Sequence, residues 1–268
     1  MISLKTPGEL DAIAAAGSIL ARLFEEIRGE VEPGASTAKL DAFAEEFIRF
    51  HPGAEPAFKG LYGFPASLCT SINHEVVHGI PSTRRRLESG DIVSIDAGVK
   101  LDGWFADMAV TVPVGEVEAA TERLLAVTQA ALKAGIAAAL ADNRVGDIGH
   151  AVQTVAESAG FSVVRELVGH GLGREPHEEP QVPNYGRRGR GLRLQPGLVI
   201  AIEPMVNEGA AEVRTLSDRW TVVTVDRRRS AHFEHTVAVT ESGPRILTDP
   251  VGAASRGGRG RVVRSAEG

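Results

Sequence analysis

The chain has 268 residues, 43% hydrophobic and 24% charged, with a formal net charge of −6. That length can bury a sizeable core as one large domain or two small ones, and the acidic balance argues against a protein held to nucleic acid by bulk charge. The single cysteine, Cys69, excludes an internal disulfide and points to a reducing, cytoplasmic setting. No signal-peptide core opens the chain, and the softest run, around residues 137–141, is too short and alanine-rich to span a bilayer.

Thr6-Pro7-Gly8-Glu9 reads as a capping box with proline at the first helical position. It opens an amphipathic helix with Leu10, Ile13, Ala14, Gly17, Leu20, Phe24 and Ile27 on one face. Pro33 and Gly34 break it, and Ser36 or Thr37 caps a second helix that turns Leu40, Phe43, Phe47 and Ile48 inward. Glycines and short strand runs follow to about residue 115. The pattern then restarts with a helix over residues 118–140, a turn at 142–147 and a further helix marked by Ile148, Val152, Val155 and Ala156. Strand runs come next at 161–164, 198–202, 220–225 and 235–240. Residues 251–268, rich in Gly and Arg, read as a flexible basic tail. A nucleic-acid or ribosomal contact is the alternative for that tail, and the arginine runs at 84–86 and 227–229 read as exposed loops.

The order helix, helix, His-Gly, strand with acid, strand with acid occurs twice. His78-Gly79 corresponds to His170-Gly171, the run from Gly90 to Asp96 to that from Gly197 to Glu203, and Asp107 to Glu234. The expectation is a single catalytic domain over residues 1–250, built of halves at about 1–117 and 118–250, each giving two acids to one central site. Chance likeness of two α/β halves is the alternative.

Those four acids each sit in or end an apolar strand-like run, where a carboxylate is costly without a positive partner. No Lys or Arg lies in the four runs. Two divalent ions would balance four carboxylates, so a dinuclear metal site is expected. A hairpin centred between Leu101 and Asp102 would set Asp96 directly opposite Asp107, a repulsive arrangement that a cation between them inverts. Two acids on a wet sheet face are the alternative, and a salt bridge from Glu203 to Arg214 or Arg219 is another. His170, framed by Gly169 and Gly171, can approach such a site closely. One imidazole with four carboxylates suits Mn, Fe, Co or Zn. His78 and His177 lie on Gly- and Pro-rich loops, where functional side chains concentrate.

Together, Ser71-Ile-Asn, His78-Gly-Ile-Pro, Asp96, Asp107, Gly169-His-Gly-Leu-Gly, His177-Glu-Glu-Pro-Gln-Val, Ile202-Glu-Pro-Met and Glu234-His-Thr resemble type I methionine aminopeptidases, in order from about residue 2 to 249. The resemblance implies an α/β (α+β) pita-bread fold, a pseudo-two-fold pair of halves with a curved antiparallel sheet covered by helices. It implies that Asp96 chelates one metal, that Asp107 and Glu234 bridge both, and that His170 and Glu203 complete the other. Phe58, Leu61, Phe64, Cys69, Pro176 and Trp220 fall where the family lines its methionine pocket. Leu61 and Phe64 stand where tyrosines are common and Pro176 where an aromatic is, which leaves the fine preference of the pocket open. A monovalent cation near Asn73 and Ser230 is a further implication.

The activity so implied is metal-dependent removal of the initiator methionine from nascent proteins and peptides, favouring a small second residue. A metal-bridging water would attack the first peptide bond and Glu203 would pass its proton to the leaving amine. His177 would donate to the oxyanion, and His78 would hydrogen-bond the scissile amide nitrogen. The implied partners are peptide amino termini and, transiently, the ribosome, with no membrane and no specific nucleic acid, the chain acting as a monomer. A proline-specific peptidase of the same fold, a metal-free amidinohydrolase and a non-catalytic binding module are the rivals.

Overall fold

The structure is a computed structural model and describes residues 2–249; the basic tail lies outside the described residues. The first half runs α1 (Pro7–Ile27), α2 (Thr37–Arg49), β1 (Ala54–Pro56), β2 (Leu68–Ile72), β3 (Glu75–Val77), β4 (Ile92–Leu101) and β5 (Trp104–Pro113). The second runs α3 (Ala119–Ala138), α4 (Val145–Ser158), β6 (Ser162–Val163), β7 (Gly169–Gly171), β8 (Glu178–Val182), β9 (Val199–Ile202) and β10 (Met205–Asn207). It continues with β11 (Val213–Thr215), β12 (Val222–Thr224), β13 (Ser230–His232), β14 (Glu234–Thr240) and β15 (Gly243–Ile246). Among the described residues, no helix is long and apolar enough to cross a membrane.

Local chemistry starts α1 as expected. Glu9 N donates to the Thr6 hydroxyl while Thr6 N donates to the Glu9 carboxylate, and Pro7 occupies the first turn. Leu10, Ile13, Leu20, Phe24 and Ile27 on its inner face join the main core against β4 and β5. Ser36 caps α2, accepting from Lys39 N.

The nine-stranded sheet has the order β1-β4-β5-β14-β9-β7-β8, with β2 also on β4 and β15 on β14. Every pairing in it is antiparallel. Its middle four strands are β4, β5, β14 and β9. Two come from each half, so the seam between the halves is the β5–β14 junction. Only two rungs join that seam, Glu234 with Ala109 and His235 with Met108. Beyond each end a threonine takes over. Thr236 Oγ1 accepts from Asp107 N at 2.9 Å and donates to Asp107 O at 2.8 Å. Thr111 Oγ1 does the same to His232 N and O, both at 2.8 Å. Hydroxyls thus replace backbone ladder bonds, satisfying buried groups while the two strands stand farther apart.

The β4–β5 register corrects one expectation. Leu101 pairs with Trp104, so the turn is Asp102-Gly103, both at positive φ (49° and 80°), the conformation an Asp-Gly hairpin favours. Asp96 therefore faces Ala109, and Asp107 faces Gly98. The shift is by two positions, which preserves the face of each side chain.

Gly17 marks how closely α1 lies on the chain after β15: a Cβ there would sit 2.1 Å from Leu247 O. Gly17→Val should lower unfolding stability by about 2 kcal/mol through overpacking, as a fall in the urea midpoint at unchanged slope.

Candidate active site

One row of the sheet sets the site. Cys69 of β2 pairs with Asp96, Asp96 with Ala109, and Ala109 with Glu234. Residues directly opposed share a face, so Asp96 and Glu234 flank the small side chain of Ala109. Asp107, two residues before Ala109, shares that face by the period of two. Glu203 follows β9 directly, one step past the Ile202–His235 rung, and so lies beside Glu234. All four acids converge, with Asp96, Asp107 and Glu234 buried.

His170 closes the group from β7. Ligand atoms of Asp107, His170 and Glu234 all lie within 4.8 Å of one another, and His170 Nε2 is 3.5 Å from Glu203 Oε1. His170 Nδ1 is 3.0 Å from Gly171 O. A carbonyl only accepts, so Nδ1 carries the proton and the Nε2 lone pair faces the carboxylates, the tautomer a metal needs. Glycine on either side is required here: a Cβ on Gly169 would lie 2.3 Å from Ala201 O, and one on Gly171 2.2 Å from Glu179 O.

Among the described residues no Lys or Arg pairs with the acids, and within ion-pairing distance Glu203 has His170 and, at 3.8 Å, His232, not Arg214 or Arg219. Burial, then the charge of Asp107, raises the carboxyl pKa of Asp96, Glu203 and Glu234 well above the usual range. Burial pushes Asp107 up to about 7. Burial also lowers the imidazoles, His170 to about 4 and His232 to about 3, so both are neutral donors of a lone pair. Among the described residues Asp96 Oδ1 and Glu234 Oε1 are buried with no hydrogen-bond partner. Orphaned carboxylate oxygens beside a neutral imidazole fit divalent cations.

A cavity of about 570 Å³ opens over this face, within the range of small-ligand sites. Phe58, Phe64 and Cys69 form a separate apolar cluster along it, with Leu61 and Trp220 packed against them. Burial and the charge of Asp96 push the Cys69 thiol up, keeping it neutral and apolar. Pro176, expected in this lining, is buried beneath its loop and is not among the lining residues.

The two remaining expected histidines sit at the cavity. His78 has φ of 60° and meets the Trp220 ring edge-on at 6.4 Å. Its loop is tied down by Gly79 N donating to Ser71 Oγ and by Arg85, which pairs with Glu75 and donates to Ile80 O at 3.3 Å. His177 meets His170 edge-on at 4.5 Å and stacks on Tyr62 at 5.9 Å with 13° between planes. Desolvation lowers both imidazoles, with the charge of His177 a second cause for His78.

Sequence reasoning missed Tyr62, His232 and Met205, which also line the cavity. His232 is buried, and neither ring nitrogen has a hydrogen-bond partner among the described residues. Its signal was available, since it precedes Glu234 by two. Tyr62 is 75% exposed and left no periodic trace.

Residues 11–241 match Metallopeptidase family M24, and the chain belongs to that family. The methionine aminopeptidase of Clostridium perfringens is 52% identical over 248 residues, 92% of this chain and 99% of that protein. A crystal structure of methionine aminopeptidase from Thermotoga maritima superposes with a TM-score of 0.91 at 43% identity, covering 93% of this chain and all (100%) of that one. Prolidase from Pyrococcus furiosus shares the fold alone, with a TM-score of 0.73 at 24% identity, and this chain spans 65% of its length. The architecture is thus the pita-bread fold.

The raised carboxyl pKa values carry a sign. A metal-free native state that holds protons more tightly than the unfolded chain loses stability as pH rises from about 4, the unfolded carboxyl value, through about 7, the folded value of Asp107. Millimolar manganese should therefore raise Tm more at about pH 7.5 than at about pH 5, where protons compete for the same oxygens. Thermal melts with and without metal check this; equal shifts at both pH values would count against metal binding at these acids.

Proposed function

We propose that this chain is a methionyl aminopeptidase that removes the initiator methionine from peptides and nascent proteins, favouring a small second residue. The observation that carries the reading is the convergence of four carboxylates and one neutral imidazole beside an apolar cavity. It is supported by 52% identity to a methionine aminopeptidase over nearly that protein's whole length.

On this reading Asp96, Asp107, His170, Glu203 and Glu234 hold two divalent ions of Co, Mn, Fe or Zn. Bound there, the ions would lower the pKa of a water and polarise the scissile carbonyl. The chain's own residues do the rest. Phe58, Leu61, Phe64, Cys69 and Trp220 enclose the methionine side chain, their apolar surface matching a thioether. Glu203, at the floor of the cavity beside Glu234, accepts a proton and returns it to the leaving amine. His177 donates to the oxygen that gains charge, and His78 hydrogen-bonds the scissile amide, accepting from its N–H on a ring nitrogen. Burial lowers both imidazoles, so near pH 7 each offers one N–H donor and one ring-nitrogen acceptor.

The unblocked amino terminus is read at the Asp96 end, which accounts for exopeptidase selectivity. The same reading has residues 1–250 acting as one catalytic unit, as a monomer in the cytoplasm, with transient ribosome contact during synthesis and a monovalent cation near Asn73 and Ser230.

Hydrolysis of Met-Ala-Ser with Ala-Pro-Ala untouched is the expected result for metal-loaded protein, and the reverse would assign a proline-specific peptidase instead. Glu203→Gln should fold, yet lose about 10³-fold in kcat. Normal turnover by that variant would remove Glu203 from the proton-transfer role.

A further inference from the structure

Lys5, just ahead of α1, has a side chain only 3% exposed. A buried ammonium is costly unless it is paired. Its partner is Glu178, with Nζ 2.5 Å from Oε2 and the Glu178 side chain 15% exposed. Glu178 follows His177 directly and opens β8, where it pairs with Gly171 of β7.

That carboxylate is a knot for the whole loop. Its other oxygen accepts from Arg174 N at 2.8 Å and Glu175 N at 3.3 Å. The lysine is itself fixed: Nζ donates to Ser3 O at 3.2 Å, and Lys5 N donates to Gly197 O at 2.7 Å. Gly197 leads into β9, which Glu203 directly follows. Gly173 keeps the path open, since a Cβ there would lie 2.4 Å from Lys5 Cε. On the outer side the Arg174 guanidinium lies 3.8 Å over the Trp104 ring.

The His177 ring, by contrast, makes ring contacts with His170 and Tyr62 and no hydrogen bond to a described residue. Its direction is therefore set by those ring contacts and by its backbone. We propose that the Lys5–Glu178 pair is the positioning device for His177, transmitting the rigid frame of α1 and β9 to that imidazole. Buried ion pairs are weak sources of stability compared with apolar packing, and in some proteins they serve to fix one geometry. The proposal rests on the role given to His177 above.

The test compares Lys5→Met, Glu178→Gln and Lys5→Arg in manganese-loaded full-length protein, each alone and with His177→Ala. Asp11→Asn, which opens the exposed Arg245–Asp11 pair, is the control. Lys5→Met and Glu178→Gln should each lower kcat on Met-Ala-Ser by about 30-fold, with KM and manganese affinity changed by less than about 2-fold. Lys5→Arg, which keeps the cation, should stay within about 5-fold of wild type. In the His177→Ala background the losses should collapse to under about 2-fold, because the two changes act through one group. Losses that multiply instead, or that fall equally on manganese affinity, would make the pair a general structural element and overturn the proposal. So would unchanged kcat in a folded Lys5→Met or Glu178→Gln, and Glu178→Gln carries the test should Lys5→Met not fold. An inactive wild type would refute the proposed activity but leave the pair testable by NMR of 15N-labelled histidines. The His177 ring signals should then be single and sharp in wild type and broadened or displaced in Lys5→Met; unchanged signals would overturn the pairing.

Discussion

Buried like charge is the constraint on which the rest of this molecule depends. Two carboxylates about 4 Å apart repel by about 4 kcal/mol at an effective dielectric of about 20, and here four share one sheet face with no Lys or Arg paired to them among the described residues. The fold tolerates this because each acid stands on a different central strand or directly at its end, so the backbone that holds them apart is fully hydrogen-bonded and walled by the main core. Protons relieve the repulsion in one state and divalent cations in another. The same geometry therefore explains both the raised carboxyl pKa values and the orphaned oxygens of Asp96 and Glu234.

The seam between the halves shows how the space is made. A continuous ladder between β5 and β14 would bring those strands together along their length. Instead two rungs hold the centre, and Thr236 and Thr111 bridge on either side through their hydroxyls. The bridges end on Asp107 and His232, so the backbone of a proposed ligand and that of the buried imidazole behind Glu234 are both fixed by side chains from the opposite half. The two acid pairs are not equivalent. Asp96 and Asp107 are offset diagonally across β4 and β5, whereas the longer Glu203 and Glu234 stand side by side, and chain length compensates for offset.

Much of this was legible in the sequence because the signals are local. Each acid terminates or interrupts an apolar alternation, His170 stands between glycines, and the order of elements repeats, so the central strands and five converging residues could be named. The hairpin register was misread by two because the turn was centred on Leu101-Asp102, although Asp-Gly is the pair that adopts two positive φ values. The face survived that error, since a shift of two preserves the side-chain alternation. His232 stands two residues before Glu234 at the head of the same run, but no glycine or proline flanks it to mark it as His170, His78 and His177 are marked. Tyr62 over His177 and Lys5 on Glu178 join residues far apart in sequence, and no pattern within either segment announces them.

Chemistry and selectivity are carried by different kinds of backbone. The acids and His170 sit on or directly beside strands, and the Pyrococcus prolidase shares that strand framework at low identity. The rim residues do not sit on regular structure. Tyr62 and His78 have φ near 50° and 60°, and Trp220 follows Arg219 at 65°. Non-glycine residues held there cost about 1–3 kcal/mol each and persist only where their surroundings fix them. Those surroundings are visible: Arg85 on Glu75 beneath the His78 loop, and Asp218 accepting from Trp220 N and Thr221 N beside the indole. Left-handed backbone at these rim positions, and at none of the four acids, is what a shared reaction centre with a separately shaped entrance requires. A relative can reshape loops at the rim without disturbing the strands that hold the charge.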